Sequence, residues 1–296
     1  MKTLYLVVVL FCASQISVFA QPKLDMEGLK LKISNALKKH HGTYAIAFKD
    51  LTTGEELSIN AHESFHAAST MKMPVMIEVF KQAAQGKFAL TDSIVVKNEF
   101  RSIVDGSPYS LDSLRDGDHT LYRQIGQKRA IRDLVYEMII VSSNFATNMI
   151  IDLVDAKKVT QTMRKLGASN IQVLRGVEDT KAFQKGLNNT TNAYDLRLIF
   201  EKMATGKIVN EETCQAMIKI LLDQKFNEVI PGNLPRDIKV AHKTGSIVKV
   251  QHDSGIVFLP DGRKYVLVIL SKDFDNDEAN KKMLAGISEM IYLNLR

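Results

Sequence analysis

The sequence predicts an α+β fold in which one antiparallel sheet of about five strands, drawn from both ends of the chain, is flanked by helices and carries an inserted all-helical lobe. Two observations support this. Strand-like runs lie near the two ends, at 43–59 and 239–270, and amphipathic helical periodicity fills the interval between them.

In chain order, Leu29, Leu31, Ile33 and Leu37 form an imperfect apolar stripe that predicts a helix over 26–40. Residues 43–48 and 56–59 read as strands, and the segment 50–54 between them, ending in Gly54, turns them into a hairpin. A long helix starts near Ser69. Pro74 helps to place its start, because a first turn tolerates proline, and Gly86 can end it after about Gln85 in the left-handed conformation. From Lys87 to Gly126 the pattern is weak, with turn signals at 105–108 and 116–118. This stretch is read as mostly loop and as one wall of a cleft.

Ile131, Leu134, Val135, Met138 and Ile139 follow helical spacing with one buried face. That helix stops at 141–144, where Asn144 reads as the N-cap of the next helix, which carries Met149, Ile150, Leu153 and Val154. A helix over 158–166 ends at Gly167, residues 175–190 form a polar loop, and Thr191 or Asn192 caps a helix that runs to about Thr205. After a helix over 211–222 come three strands, at 239–244, 254–259 and 264–270, the last two joined by Pro260-Asp-Gly262. A closing helix over 277–295 buries Met283, Ile287, Met290 and Ile291. The order implies a single domain over 21–296, with an α/β lobe from 21–66 and 206–296 and a helical lobe from 67–205.

Lys2 precedes an apolar run over 4–13, and small residues occupy the last and third-last positions before Gln21. This predicts a signal peptide over 1–20, cleaved near Ala20, and a periplasmic or secreted protein. The run is too short for a membrane span, which takes about 20 residues. Cleavage leaves Cys214 as the single cysteine, so stability is expected to rest on core packing and not on a disulfide. The net charge of +6 is spread without a basic block, which argues against nucleic acid as a partner. The seven His residues show no H-x-x-x-H spacing and there is no Cys cluster, so neither metal nor other cofactor is expected.

Ser69 and Lys72 lie three apart, on one face of a helix. At a helix N-terminus the partial positive charge stabilises a serine alkoxide, and a neutral lysine accepts the serine proton. The same spacing recurs at Ser246 and Lys249, so the pair alone says little. Two later motifs give it company: Ser142-Ser-Asn144 and Lys243-Thr-Gly245.

The ordered triple resembles the penicillin-recognising serine acyltransferases, and within them the class A β-lactamases, whose motifs are S-x-x-K, S-D-N and K-T-G. The resemblance spans essentially the whole chain after the signal peptide. It implies that Ser69 attacks a β-lactam carbonyl, that Lys72 supports proton removal, and that Ser142 hands a proton to the leaving nitrogen. Asn144 would bond the substrate side chain or hold Lys72, while Lys243 and Thr244 would bind the substrate carboxylate. Gly245 would let the backbone approach, and the N–H groups of Ser69 and Ser246 would form the oxyanion hole.

The chain departs from the family pattern in three places. Ser143 stands where the motif has an acid, with an expected effect on stability and not on chemistry. The family's deacylating loop, Arg-x-Glu with an asparagine four residues on, is represented by Arg175-Gly-Val-Glu178, with one extra residue and with Ala182 at the asparagine position. Glu178 is the candidate base, Asp179 the second choice, and Asn188 or Asn189 the candidate partner; a surface ion pair from Arg175 is the bland alternative. Finally, Asp253-Ser-Gly255 stands where a basic residue often assists carboxylate binding, leaving Arg236 or Lys249 as substitutes. The expected partner is a small β-lactam, bound by a monomer. Two alternatives share the motifs: a cell-wall D,D-peptidase, and a non-catalytic β-lactam-binding module.

Overall fold

The computed structural model describes residues 25–296, so the expected signal peptide lies outside the described residues. The elements that position the site are α1 (Met26–Leu37), β1 (Thr43–Asp50), β2 (Glu56–Ile59), α2 (Lys72–Ala84), α3 (Ile131–Ile140), α4 (Asn144–Val154), α5 (Ala156–Lys165), α6 (Thr180–Gln184), α7 (Ala193–Ala204), α8 (Glu211–Leu222), β3 (Lys239–Ile247), β4 (Val250–Phe258), β5 (Lys264–Lys272) and α9 (Asp277–Asn294). The strands form one antiparallel sheet in the order β2-β1-β5-β4-β3. The two ends of the chain meet where β1 pairs with β5, with Thr43 opposite Lys272 and Asp50 opposite Tyr265. This is the α+β architecture that the strand runs at the two ends predict.

Strand alternation sorts the apolar residues onto two buried faces. Ile46, Phe48, Leu267 and Ile269 pack with Leu29 and Ile33 of α1 and with Leu284 and Ile287 of α9. On the opposite face Ala45, Ala47, Val266 and Val268 join a larger core shared with the helices α2–α5, α7 and α8. Within that core α2 is buried along every residue from Lys72 to Phe80, so it is the axis around which the other helices pack. A helix surrounded in this way holds Lys72 out of water. No helix of the described residues is long and apolar enough to cross a membrane.

Several local expectations change. Residues 87–126 hold the short strand Ser93–Val95, which pairs with Lys128–Ala130 just beyond, the pair Phe100–Arg101 with Pro108–Tyr109, and two 3₁₀ turns, Ser113–Arg115 and Leu121–Gln124. Pairs this short carry no readable alternation. Asn144 is not a cap: Ser143 is, its Oγ accepting from Ala146 N at 3.2 Å, which leaves the Asn144 amide free to face the cleft. The strand expected over 239–244 continues to Ile247, and its partner begins at Val250 rather than 254. Polar Gln251, His252 and Asp253 conceal that extension, because their side chains are buried against neighbouring elements. Lys243, Thr244, Gly245 and Ser246 therefore lie inside a strand, not at its end. Asn192 is the cap of α7, accepting from Asp195 N at 2.7 Å, and Asp155 starts the helix expected at 158 two residues earlier.

Candidate active site

A cleft of about 830 Å³ runs between the edge strand β3 and the helices, and it is lined by Ser69, Ser142, Asn144, Glu178, Thr244 and Gly245 among others. The 87–126 stretch contributes Ser110, Asp112, Arg115 and Gly117, so it is a wall of the cleft as expected.

Ser69 sits in a 3₁₀ turn, Ala68–Met71, that leads directly into α2. The residue before it, Ala68, has φ of 45°, a left-handed backbone that non-glycine residues adopt at a cost of about 1–3 kcal/mol. Surrounding bonds hold the turn, with Ala67 N donating to Asn189 O at 2.8 Å and Thr70 Oγ1 donating to Ala67 O at 2.6 Å. Strand β3 lies so close that a Cβ on Gly245 would stand 3.0 Å from Ser69 N and 2.9 Å from Thr70 N. Gly245→Ala is accordingly expected to push β3 off the turn. A thermal melt should show a loss on the order of 1–3 kcal/mol, the usual scale for overpacking.

Lys72 is fully buried, and its Nζ donates to Ser142 O at 2.6 Å, Ser142 Oγ at 3.1 Å and Asn144 Oδ1 at 2.9 Å. Ser142 presents both its carbonyl and its hydroxyl to one amine because its φ of 57° turns the backbone left-handed. Burial brings the Lys72 pKa down to about 7, although the carboxylates of Asp116 and Glu178 oppose the change. Lys243, also buried, donates to the same Ser142 Oγ at 3.1 Å. Its pKa is pushed well below the usual lysine range by burial, with the Lys72 charge adding to the effect and Asp253 opposing it. One hydroxyl thus bridges two amines that are both reluctant to hold a proton.

Asn144 joins this group to Glu178, its Nδ2 donating to Glu178 Oε1 at 2.9 Å. Burial raises the Glu178 pKa, with the Asn144 bond opposing and the charge of Asp116 reinforcing. Glu178 itself has φ of 61°. The residue that fixes its loop is Asn148 on α4: Oδ1 accepts from Val177 N at 2.7 Å and Nδ2 donates to Val177 O at 3.0 Å. A Cβ on Gly176 would lie 2.4 Å from that same Oδ1, so the glycine makes the clamp possible.

Asp179 points away from this chemistry. Its carboxylate is committed to Ser102 Oγ, Ile103 N and Ala182 N at 2.8, 2.9 and 3.1 Å, tying the loop to the opposite wall. Neither candidate asparagine reaches Glu178: Asn189 bonds Leu174 N, Arg175 N and Arg175 O, and Asn188 Oδ1 accepts from Arg175 Nη2. Arg175 makes no ion pair within the described residues. It is buried, and it donates to Leu187 O at 2.9 Å and Gly176 O at 2.9 Å, which shapes the loop. Arg236 and Lys249 are both exposed, and neither is among the residues that line the cleft; Arg115, Arg175 and Lys281 are.

Asp116 escaped the sequence reading, as Asn148 did. Asp116 Oδ1 accepts from Asn144 N at 2.8 Å and Oδ2 accepts from Phe145 N at 2.8 Å, placing a carboxylate at the start of α4. Its only signal in the sequence was a turn at 116–118.

The family model described as "Beta-lactamase enzyme family" matches residues 28–295. A β-lactamase of Bacteroides uniformis is 25% identical over 285 residues, covering 92% of this chain and 93% of its own. Among solved structures, a β-lactamase of Sphaerobacter thermophilus matches with a TM-score of 0.77 at 25% identity, over 92% of this chain and 97% of that one. A PBP-A mutant, solved as an acyl-enzyme complex with penicillin G, matches with a TM-score of 0.78 at 27% identity, over 91% and 97%.

Proposed function

Because the chain belongs to the β-lactamase enzyme family, we propose that it is a serine β-lactamase, exported through its N-terminal signal, in which Ser69 opens the lactam and water then hydrolyses the ester. The Ser69 oxygen adds to the carbonyl while its proton passes to neutral Lys72. The C–N bond then breaks as Ser142, in contact with both Lys72 and Lys243, delivers a proton to the departing nitrogen and takes in its place the proton that Lys72 received from Ser69. Lys243 and Thr244 hold the substrate carboxylate. The N–H groups of Ser69 and Ser246 receive the developing oxyanion, at about 3 kcal/mol per donor. Glu178 takes one proton of the attacking water, and the ester C–O bond breaks as that proton passes on to Ser69 Oγ, restoring the hydroxyl and the Glu178 carboxylate.

The observation that carries this reading is the hydrogen-bonded path from Lys72 through Asn144 to Glu178, which sets a carboxylate in the cleft that holds Ser69. A D,D-peptidase is the second reading, supported by Ala182, which leaves Glu178 without the family's amide partner. Incubation with a chromogenic cephalosporin and a penicillin separates the two. Sustained hydrolysis supports the lactamase; a stable adduct without turnover, together with D-alanine release from a D-Ala-D-Ala peptide, overturns it.

The pH profile gives a second check. Lys72 must be neutral to accept a proton, so the kcat/KM for acylation should fall on the acid side with an apparent pKa of about 7. A limb displaced well to the acid side of that, toward the carboxylate range, would instead assign the acylation base to Glu178, whose pKa burial raises.

A further inference from the structure

We propose that Asp116 is a positioning residue for the Ser142–Asn144 turn, supplying from a separate loop the carboxylate that the middle residue of the motif, Ser143, lacks. The proposal rests on the acyl-transfer reading above and adds to it a residue outside the three motifs.

The geometry is that of a divided cap. Asn144 N and Phe145 N open α4 and have no intrahelical acceptor. Each donates to one oxygen of Asp116, at 2.8 Å, and Ser143 Oγ takes Ala146 N. A negative charge there also complements the positive end of the helix. Asp116 is itself held: Tyr122 OH donates to Oδ2 at 3.0 Å and Asp118 N to Oδ1 at 3.3 Å. The neighbouring Gly117 lets this loop lie against the backbone just before Ser142, since a Cβ there would stand 2.4 Å from Val141 O.

What hangs on this cap is the chemistry. Ser142 is left-handed, a conformation that persists only where its surroundings over-determine it, and it offers two of the three acceptors of Lys72. Asn144 supplies the third and also holds Glu178. The charge of Asp116 reaches both groups, raising the proton affinity of Lys72 and of Glu178. The other charged or titratable groups around the turn are Lys243 on β3, Arg115 and Asp118 beside Asp116, Tyr122 and Asp112. A plain structural cap would affect stability alone. A positioning carboxylate must also move the pH profile, and must be replaceable by a carboxylate arriving from elsewhere.

Ser143 provides that alternative origin, because its Oγ lies 3.5 Å from Asp116 Oδ2. The test compares Asp116→Asn, Ser143→Asp and the double variant, with Ser69→Ala as the control. It measures kcat/KM for a chromogenic cephalosporin against pH and a thermal melt for each. Asp116→Asn should lower kcat/KM roughly tenfold, the rate equivalent of a lost cap, with kcat falling more than KM rises. Its acid limb should move to lower pH by up to about one unit, since removing a nearby negative charge eases deprotonation of Lys72 and Glu178. Ser143→Asp alone should also lose activity, because two carboxylates then occupy a site built for one. The double variant should recover to within about threefold of the unaltered protein, a non-additivity expected only of groups that share one site.

Unchanged kcat/KM and pH profile in Asp116→Asn, or folded variants whose losses simply add, would overturn the proposal. If Asp116→Asn does not fold, a folded and active double variant supports it and an unfolded one overturns it. Retention of hydrolysis by Ser69→Ala would defeat the acyl-transfer reading instead, and the melting cycle over positions 116 and 143 would still report on the shared carboxylate site.

Discussion

Glu178→Gln is expected to form the acyl-enzyme at close to the unaltered rate and then to release it about 10²–10⁴-fold more slowly, the usual worth of a general base. The glutamine keeps the size of the side chain and can still accept from Asn144 Nδ2 through its carbonyl oxygen, so the tie between the two walls of the cleft survives. What is lost is the capacity to take a proton from water. Lys72 and Ser142, proposed to serve acylation, do not hydrogen-bond Glu178 directly, and the fast first step should persist. Stopped-flow absorbance with a chromogenic cephalosporin would show a burst equal to the enzyme concentration followed by slow turnover. Hydrolysis at the unaltered rate would remove Glu178 from the role. Asp179 would be a poor replacement, since its carboxylate is committed to Ser102, Ile103 and Ala182.

Ser69→Ala should lower hydrolysis by on the order of 10⁴–10⁶-fold, as removal of a nucleophile does in hydrolases built on a concerted group. The hydroxyl makes no hydrogen bond that the turn depends on: Ala67, Thr70 and Asn189 carry those. Stability should therefore change by no more than about 0.5 kcal/mol, and a penicillin should still bind reversibly. Equilibrium binding without hydrolysis would separate loss of chemistry from loss of the site. In the proposed mechanism the amine at Lys72, buried and reluctant to be charged, is the base for the first step.

The sheet and the long helices were legible because their side chains obey one rule at a time. Ile46 and Phe48 face one core while Ala45 and Ala47 face the other, and α3 repeats its apolar face at helical spacing. The motifs were legible because each is contiguous. The remainder of the site was not, for a reason that Asp116 and Asn148 share. Both act on backbone groups of distant segments, Asn144 and Phe145 in one case and Val177 in the other, and a backbone partner leaves no trace in the identity of the residue it belongs to. Ser143 looked like a lost acid when read alone, and the structure places an acid beside it from another loop. The same blindness hid the extension of β3, since Gln251, His252 and Asp253 on the facing strand look like loop residues until their buried partners are seen, such as His242 beside Asp253 at 2.8 Å.

Intact-mass measurement of Glu178→Gln mixed with a penicillin, followed by peptide mapping, reads out both acyl transfer to Ser69 and release through Glu178. One adduct of the full penicillin mass is expected, located on the peptide that contains Ser69 and absent from the Ser69→Ala, Glu178→Gln double variant. An adduct on any other residue, or rapid hydrolysis with no adduct in the double variant, would contradict this mechanism.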